Sequence, residues 1–373
     1  MRHIRMMPLR PVYGHRVLRD RLAAAARSGR LPASLMLTGP RGVGKQRLAL
    51  WLGQRLLCDG ADARETTEPC GSCTHCRYTL RLQHPDLHWF FPRERLKDSD
   101  PGTEEIRGDL AEAIAERVAA DGLYAGSSGM EGLHVATTRA LIHAASLRPA
   151  LAARAVFVVG DAERMVSQEG ADQAANAFLK LLEEPPPGTT LILTSSEPGA
   201  LLPTIRSRVV TLRVPPLPPA DVADFINDPA VTARLGDQAR GDAAPMARAA
   251  GAPGRLLEGD SDRDAYTAAR RLLDAALAPP TAEGRAIRIT AAAQAGVSRA
   301  RGAYSDTLDA LTVLLHARVR DSVAAGHDRH ARRVATAISV LETAKTHTQH
   351  NVTPFLLTSV LLDDLSALLV SAS

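Results

Sequence analysis

The stretch that decides the fold is "LMLTGPRGVGKQRLALWLGQ", residues 35–54. A short apolar run leads into Gly39-Pro40-Arg41-Gly42-Val43-Gly44-Lys45, and helical periodicity follows at once. Strand, glycine-rich loop and helix in this order, with lysine closing the loop, form the pattern of a phosphate-binding loop. Gly39, Gly42 and Gly44 let backbone N–H groups turn inward on phosphate oxygens, while Lys45 adds charge and the helix start adds its dipole. The next position should carry a hydroxyl that helps hold magnesium, and here it carries Gln46. An amide side chain is longer and displaces the ion. The loop therefore predicts the shape of a nucleotide site and counts against ATP/Mg2+ hydrolysis there. A turn that keeps the shape without the ligand is the plainer alternative.

Working outward, apolar runs at 34–39 ("SLMLTG"), 155–160 ("AVFVVG"), 189–196 ("TTLILTSS") and 208–214 ("RVVTLRV") read as strands buried on both faces. "KQRLALWLGQRLL" (45–57) and "DQAANAFLKLLEE" (172–184) read as helices between them, the second stopped by Pro185-Pro186-Pro187. This alternation predicts an α/β domain with a parallel sheet over residues 1–216. "PPLPPAD" (215–221) marks a boundary, followed by a short Ala- and Gly-rich helical section over 217–260 and an all-α domain over 261–373. The last helix should start at Thr353-Pro354, a cap followed by proline at the first helical position. Residues 93–132 fit this scheme least. They are charged and glycine-rich at both ends, with Ile106, Leu110, Ile114 and Val118 in one stripe, and predict a surface insertion carrying one helix.

An ATPase of this kind also needs an acidic pair at the end of a later strand. "VFVVGDAERM" (156–165) offers Asp161 alone, between Gly160 and Ala162, with Glu163 expected to point elsewhere. An ordinary strand–helix junction explains Asp161 equally well. Cys58, Cys70, Cys73 and Cys76 give a sharper signal. Three thiols at C-x-x-C-x-x-C spacing, with a fourth from the end of the loop helix, suit a closed tetrahedral structural zinc. An iron–sulfur cluster or metal-free thiols are the rivals, though no redox signature accompanies the set. His75 and His84 are read as bystanders. Arg208 in "LLPTIRSRVV" (201–210) and Arg255 in "GAPGRLLEG" (251–259) are each a solvated charge or a phosphate ligand.

The bulk composition bounds the rest. The chain has 373 residues, 45% hydrophobic, long enough for two or three cores. Its most apolar stretch, "TPFLLTSVLLDDLSALLVSAS", is broken by Asp363 and Asp364, and the N-terminus carries no export-type apolar run. A cytoplasmic protein without a membrane span is expected. A net charge of +4 permits nucleic acid, but only 3% of residues are aromatic, so phosphate contact is the expected mode.

Taken in order, "GRLPASLMLTGPRGVGK", "CGSCTHCR", "HPDLHWF", "NAFLKLLEEPPPGTTLILTS" and "LLPTIRSRV" resemble the clamp-loader subunits of bacterial DNA polymerase III, within the AAA+ group. The resemblance covers roughly residues 12–92 and 133–217, continues weakly to "NVTPFLLTSVLLDDL", and leaves 93–132 unaccounted for. It implies a structural zinc on the four cysteines. It also implies that Ser207-Arg208, with Val209 where the family has cysteine, donates an arginine finger in trans to a neighbour's ATP. The family's gamma or tau motors keep a hydroxyl after the lysine and an Asp-Glu pair, where this chain has Gln46 and Gly160-Asp161. Both losses fall on magnesium and water, and the surviving finger acts outward. That combination resembles the delta-prime branch, which does not hydrolyse ATP. No long tail for polymerase or helicase follows the collar, which suits the same branch. The implied partners are gamma/tau and delta subunits in a hetero-oligomer joined through the collar. The sliding clamp and primer-template DNA are reached through that complex. The alternatives are a gamma/tau-like motor for which Gln46 and Asp161 suffice, or an AAA+ scaffold of another assembly. A metabolic kinase lacks any residue set for a small acceptor.

Overall fold

A computed structural model describes residues 9–61, 65–98, 101–127, 131–165, 178–236, 244–258, 260–296, 301–347 and 352–370. The chain divides into two units, Met1–Leu257 and Glu258–Ser373.

The first unit is built on five parallel strands: β1 (Ser34–Thr38), β2 (Leu87–Phe90), β3 (Ala155–Val159), β4 (Thr189–Ser195) and β5 (Val210–Arg213), in the order β2-β3-β4-β1-β5. Parallel neighbours require long crossovers, and helices α1 (Arg16–Arg27), α2 (Lys45–Leu57), α3 (Thr74–Leu80), α4 (Thr103–Ala119) and α5 (Val135–Ser146) lie before and between the strands, with α2 packed on β3 and β4. β1, β3 and β4 are buried along their whole length, as their unbroken apolar sequences require. The register pairs Thr38 with Ser195 and Val159 with Leu193. The carboxyl ends of β1, β3 and β4 therefore lie side by side, where ligands of open α/β sheets bind.

The α/β class with a parallel sheet is as expected, and three elements differ from expectation. β2 was not among the expected strands. "LHWF" is short and contains a histidine, and its placement is fixed by Asp86 just before it, whose carboxylate accepts the N–H groups of Ala150, Leu151 and Ala152 at 2.6–2.8 Å. β5 was expected to be buried on both faces, yet it is an edge strand pairing only with β1, and Val210 is 48% exposed. Of the helix expected over 172–184, residues 172–177 lie outside the described residues, and 178–183 are helical. The insertion does carry a helix, α4 (Thr103–Ala119), with Glu104 and Glu105 in its first turn. It is not a surface appendage, because Ile106, Leu110 and Ala113 join the main core.

Two short helices, Pro219–Ile226 and Pro229–Leu235, follow the sheet, then Ala244–Ala249 and a 3-10 turn, Pro253–Glu258. They enclose a small core of their own around Val222, Phe225 and Val231. Asp228 caps the second helix by accepting the Ala230 N–H at 2.9 Å.

The second unit is helical throughout its described residues: Asp260–Ala276, Ala282–Gly296, Arg301–Ala324, Asp328–His347 and Pro354–Val370. Leu308, Leu311, Leu341, Leu361 and Leu365 fill its centre. Buried Arg288 donates to Asp363 at 2.9 Å, fixing helix Ala282–Gly296 against the last helix. That last helix opens at Pro354 behind Thr353, as its sequence predicts. No helix among the described residues is long and apolar enough to cross a membrane.

Candidate functional site

The glycine-rich loop leaves β1 and enters α2 at Lys45 with the shape its sequence predicts. Its charge is not offered outward. Lys45 is 5% exposed, and its ammonium donates to the carbonyls of Gly39 (2.8 Å) and Pro40 (2.9 Å) and to the Ser196 hydroxyl (2.8 Å). An ammonium has three N–H groups, and these three acceptors belong to the protein itself. The loop is also closed from above. Gly254 N–H donates to the Gly42 carbonyl at 2.9 Å, and a Cβ at Gly42 would stand 2.6 Å from the Arg255 nitrogen. Gly42 is thus required by a close backbone approach as well as by its φ of +78°. Arg255, which the sequence leaves as a solvated charge or a phosphate ligand, is buried at this contact and so is not a solvated charge.

Gln46 and Gly160 turn out to be one feature. A Cβ built at Gly160 would lie 2.6 Å from Gln46 Oε1 and 2.7 Å from its Cδ. The amide of Gln46 fills the space that a side chain at 160 would need. It is held there by the Trp89 indole N–H, which donates to Oε1 at 3.2 Å. Asp161, next along, adopts a left-handed φ of +46° and accepts the Ser127 hydroxyl at 2.9 Å. Such a backbone is uncommon for a non-glycine residue and marks a turn forced by its surroundings.

Glu163 corrects an expectation. A 3-10 turn at Ala162–Met165 brings its carboxylate back to the site, where Oε1 accepts the Ser196 N–H at 2.9 Å. Its other oxygen is buried without a hydrogen-bond partner. Burial, reinforced by the nearby Asp161, pushes its pKa from 4.5 up to about 7. Trp89, Ser127 and Ser196 are therefore site residues that sequence patterns did not single out, since they come from β2, the insertion and the end of β4, far apart in the chain.

Ser207 and Arg208 lie apart from this group. Ser207 Oγ donates to the Thr204 carbonyl at 3.0 Å, and Arg208 donates to the same carbonyl at 2.8 Å and to Glu183 Oε1 through both Nε (2.8 Å) and Nη2. The guanidinium stays partly exposed, 32% for its side chain.

The four cysteines sit at the opposite end of α2, whose 13 residues span roughly 20 Å. Cys58 follows the helix, and the sulfurs of Cys58, Cys70, Cys73 and Cys76 all lie within 4.8 Å of one another. Tetrahedral zinc–thiolate bonds of 2.3 Å place sulfurs about 3.8 Å apart, and Cys70 and Cys76 are separated by 3.9 Å. Backbone N–H groups already point at the sulfurs: Cys70 at Cys58 (3.4 Å), Cys73 at Cys70 (3.3 Å) and Cys76 at Cys73 (3.4 Å). The Cys73 N–H holds the Cys70 thiol down at about 6, whereas burial pushes Cys73 and Cys76 up. Thiols packed this closely do not all ionise without a cation, so the set fits a metal ion. His75 and His84 pair with each other at 2.8 Å and supply no atom to the four-sulfur set.

A family model described as "DNA polymerase III, delta subunit" matches residues 14–218. The DNA polymerase III subunit delta' of Bacillus subtilis is 28% identical over 195 residues, covering 52% of this chain and 46% of that protein. That of Pseudomonas aeruginosa is 32% identical over 180 residues, 48% of this chain and 42% of its own. The gamma/tau subunit of Mycobacterium tuberculosis is 32% identical over 187 residues, 50% of this chain and 25% of its own. The matched region thus spans less than half the length of these relatives. A solved structure from Thermotoga maritima, a gamma subunit-related protein of DNA polymerase III, aligns over 92% of this chain and 97% of its own at 16% identity. Its TM-score of 0.35 is too low to bear on the fold.

Two expectations follow from the site. Gly160→Ala should swing the Gln46 amide away and break its bond to Trp89, costing about 1 kcal/mol; in a Gln46→Ala background the same change should cost almost nothing, as a denaturation double-mutant cycle will read. Because the folded pKa of Glu163 is raised, its contribution is fully present below pH 4.5 and is lost as pH rises toward about 7. Glu163→Gln should therefore leave the melting temperature unchanged at pH 4 and raise it at pH 8, by an amount worth on the order of 3 kcal/mol.

Proposed function

The chain belongs to the DNA polymerase III, delta subunit family, and from that membership we propose that it is a delta-prime-like clamp-loader subunit that does not hydrolyse ATP. The observation that carries this is the self-satisfied Lys45, whose ammonium is bound by Gly39, Pro40 and Ser196. The missing hydroxyl at Gln46 and the filled space at Gly160 support it, since together they take away the magnesium-side groups of an ATPase. Asp161 keeps its acid but spends it on Ser127.

In this reading residues 1–216 form the AAA+ domain, 217–260 the lid and 261–373 a collar that joins gamma/tau and delta subunits. The subunit stays fixed while its neighbour turns over. Ser207 and Arg208 face that neighbour, and the Arg208 guanidinium leaves Glu183 to meet the charge that develops on the neighbour's transferring phosphate. The assembly loads the sliding clamp onto primer-template DNA in the cytoplasm. Cys58, Cys70, Cys73 and Cys76 hold a structural zinc, supported by their mutual distances and by four sulfurs, enough to complete a tetrahedral shell. The gamma/tau relatives keep a motor role as the second reading, and the test separates the two.

In a loader reconstituted with clamp and primed DNA, Arg208→Ala in this chain should lower ATP turnover about tenfold or more, because an arginine finger is worth about a thousandfold at its own site. Lys45→Ala should leave turnover near the wild-type rate. The reverse pattern would make this chain a motor. Metal analysis of the purified chain should find about one zinc per molecule, and Cys73→Ser should lower both the zinc content and the melting temperature by several degrees.

A further inference from the structure

The insertion has no counterpart in the motifs discussed so far, yet its end lies over the glycine-rich loop. Helix α4 stops sharply: Asp121 N–H donates to the Val118 carbonyl at 3.0 Å and Gly122 N–H to that of Arg117 at 2.8 Å. Both turn residues have positive φ, +55° and +74°. A left-handed pair of this kind reverses the chain at a helix end. The residues that follow are aimed at three different parts of the unit.

Leu123 is 5% exposed and enters the small helical core with Leu217, Val222, Phe225 and Val231. Tyr124 packs on the core of the sheet instead, and its ring joins Phe91 and Trp89 around the Arg117 guanidinium at 4.1, 3.5 and 4.7 Å. Ser127 closes the chain over the loop. Its carbonyl accepts from Arg41 of the loop and from Arg164, each at 3.1 Å, and its hydroxyl donates to Asp161. Asp121 pairs with Arg10 at 3.6 Å, and Arg10 pairs in turn with Asp228 of the small helices at 3.2 Å.

A nucleotide in a phosphate loop sits between that loop and the acidic end of a neighbouring strand, the two places that Ser127 joins through Arg41 and Asp161. We propose that residues 121–127 take that place: the insertion is a built-in substitute for the nucleotide, holding the small helices closed on the sheet with no ligand. This deepens the non-hydrolysing reading and rests on it. The closure explains how a subunit whose lysine is already satisfied keeps a fixed shape through rounds of turnover next door.

The test uses the full chain alone. Hydrogen–deuterium exchange is followed in wild type, in Leu123→Ala and in Glu112→Ala, an exposed control on α4. Leu123→Ala is expected to speed exchange in Pro219–Ile226 and Pro229–Leu235 by about tenfold or more, with β1, β3 and β4 unchanged and the control silent. Equal protection of those helices in a Leu123→Ala protein with an intact sheet would overturn the proposal. Should that variant not fold, Gly122→Ala, which strains the turn at φ +74° and sets a Cβ 3.0 Å from Leu9 Cδ2, is read in the same way. Wild-type binding of a fluorescent ATP analogue with a Kd of about 100 µM or tighter would also overturn it. Failure to enter a reconstituted loader, with exchange as expected, would sink the clamp-loader role and leave the closure standing.

Discussion

A buried ammonium must find an acceptor for every N–H it carries, and the rest of this site follows from how Lys45 meets that demand. In a working phosphate loop the acceptors are phosphate oxygens, and the protein alone leaves the charge expensive to bury. Here the loop's own carbonyls and Ser196 do the work. Ser196 is in turn held through its N–H by Glu163, so the satisfaction of one cation fixes the loops that leave β1, β3 and β4.

Once that charge is internal, the neighbouring changes cease to be separate losses. Gln46 can be long because nothing projects from position 160, and Gly160 can be bare because Gln46 fills its space. Asp161 and the two arginines, Arg41 and Arg164, then meet on Ser127. Lys45, Gln46, Asp161 and Glu163 thus each have a hydrogen-bond partner within the protein.

Much of this was legible in the sequence, and the failures have physical causes. The glycine-rich loop, the cysteine spacing and the buried strands β1, β3 and β4 are local patterns, in which neighbours in sequence carry the signal. β5 misled because apolar composition does not reveal that a strand lies at a sheet edge. Glu163 misled because an extended chain would carry it away, whereas the left-handed turn at Asp161 and the 3-10 turn after it bring it back. Trp89 and Ser127 meet Gln46 and Asp161 across 43 and 34 residues of chain, a separation no periodicity encodes. Arg208 stands out in the sequence beside a strand, where the resemblance alone implies a finger, and its clasp with Glu183 is visible only in the geometry.

The two ends of the insertion are joined to each other before either reaches the rest of the unit. Arg93 and Gly132 exchange a pair of backbone hydrogen bonds at 3.1 and 2.9 Å, and the Arg93 guanidinium reaches over to Asp109 on α4. The entropy of closing the loop is met at that narrow base, and doubling the length beyond it costs only about 0.6 kcal/mol. Added length is therefore tolerated best beside the clasp, where Glu94, Arg95, Lys97 and Asp98 are exposed, because Ile106, Leu110, Ala113 and Leu123 tie the rest of the segment into two cores.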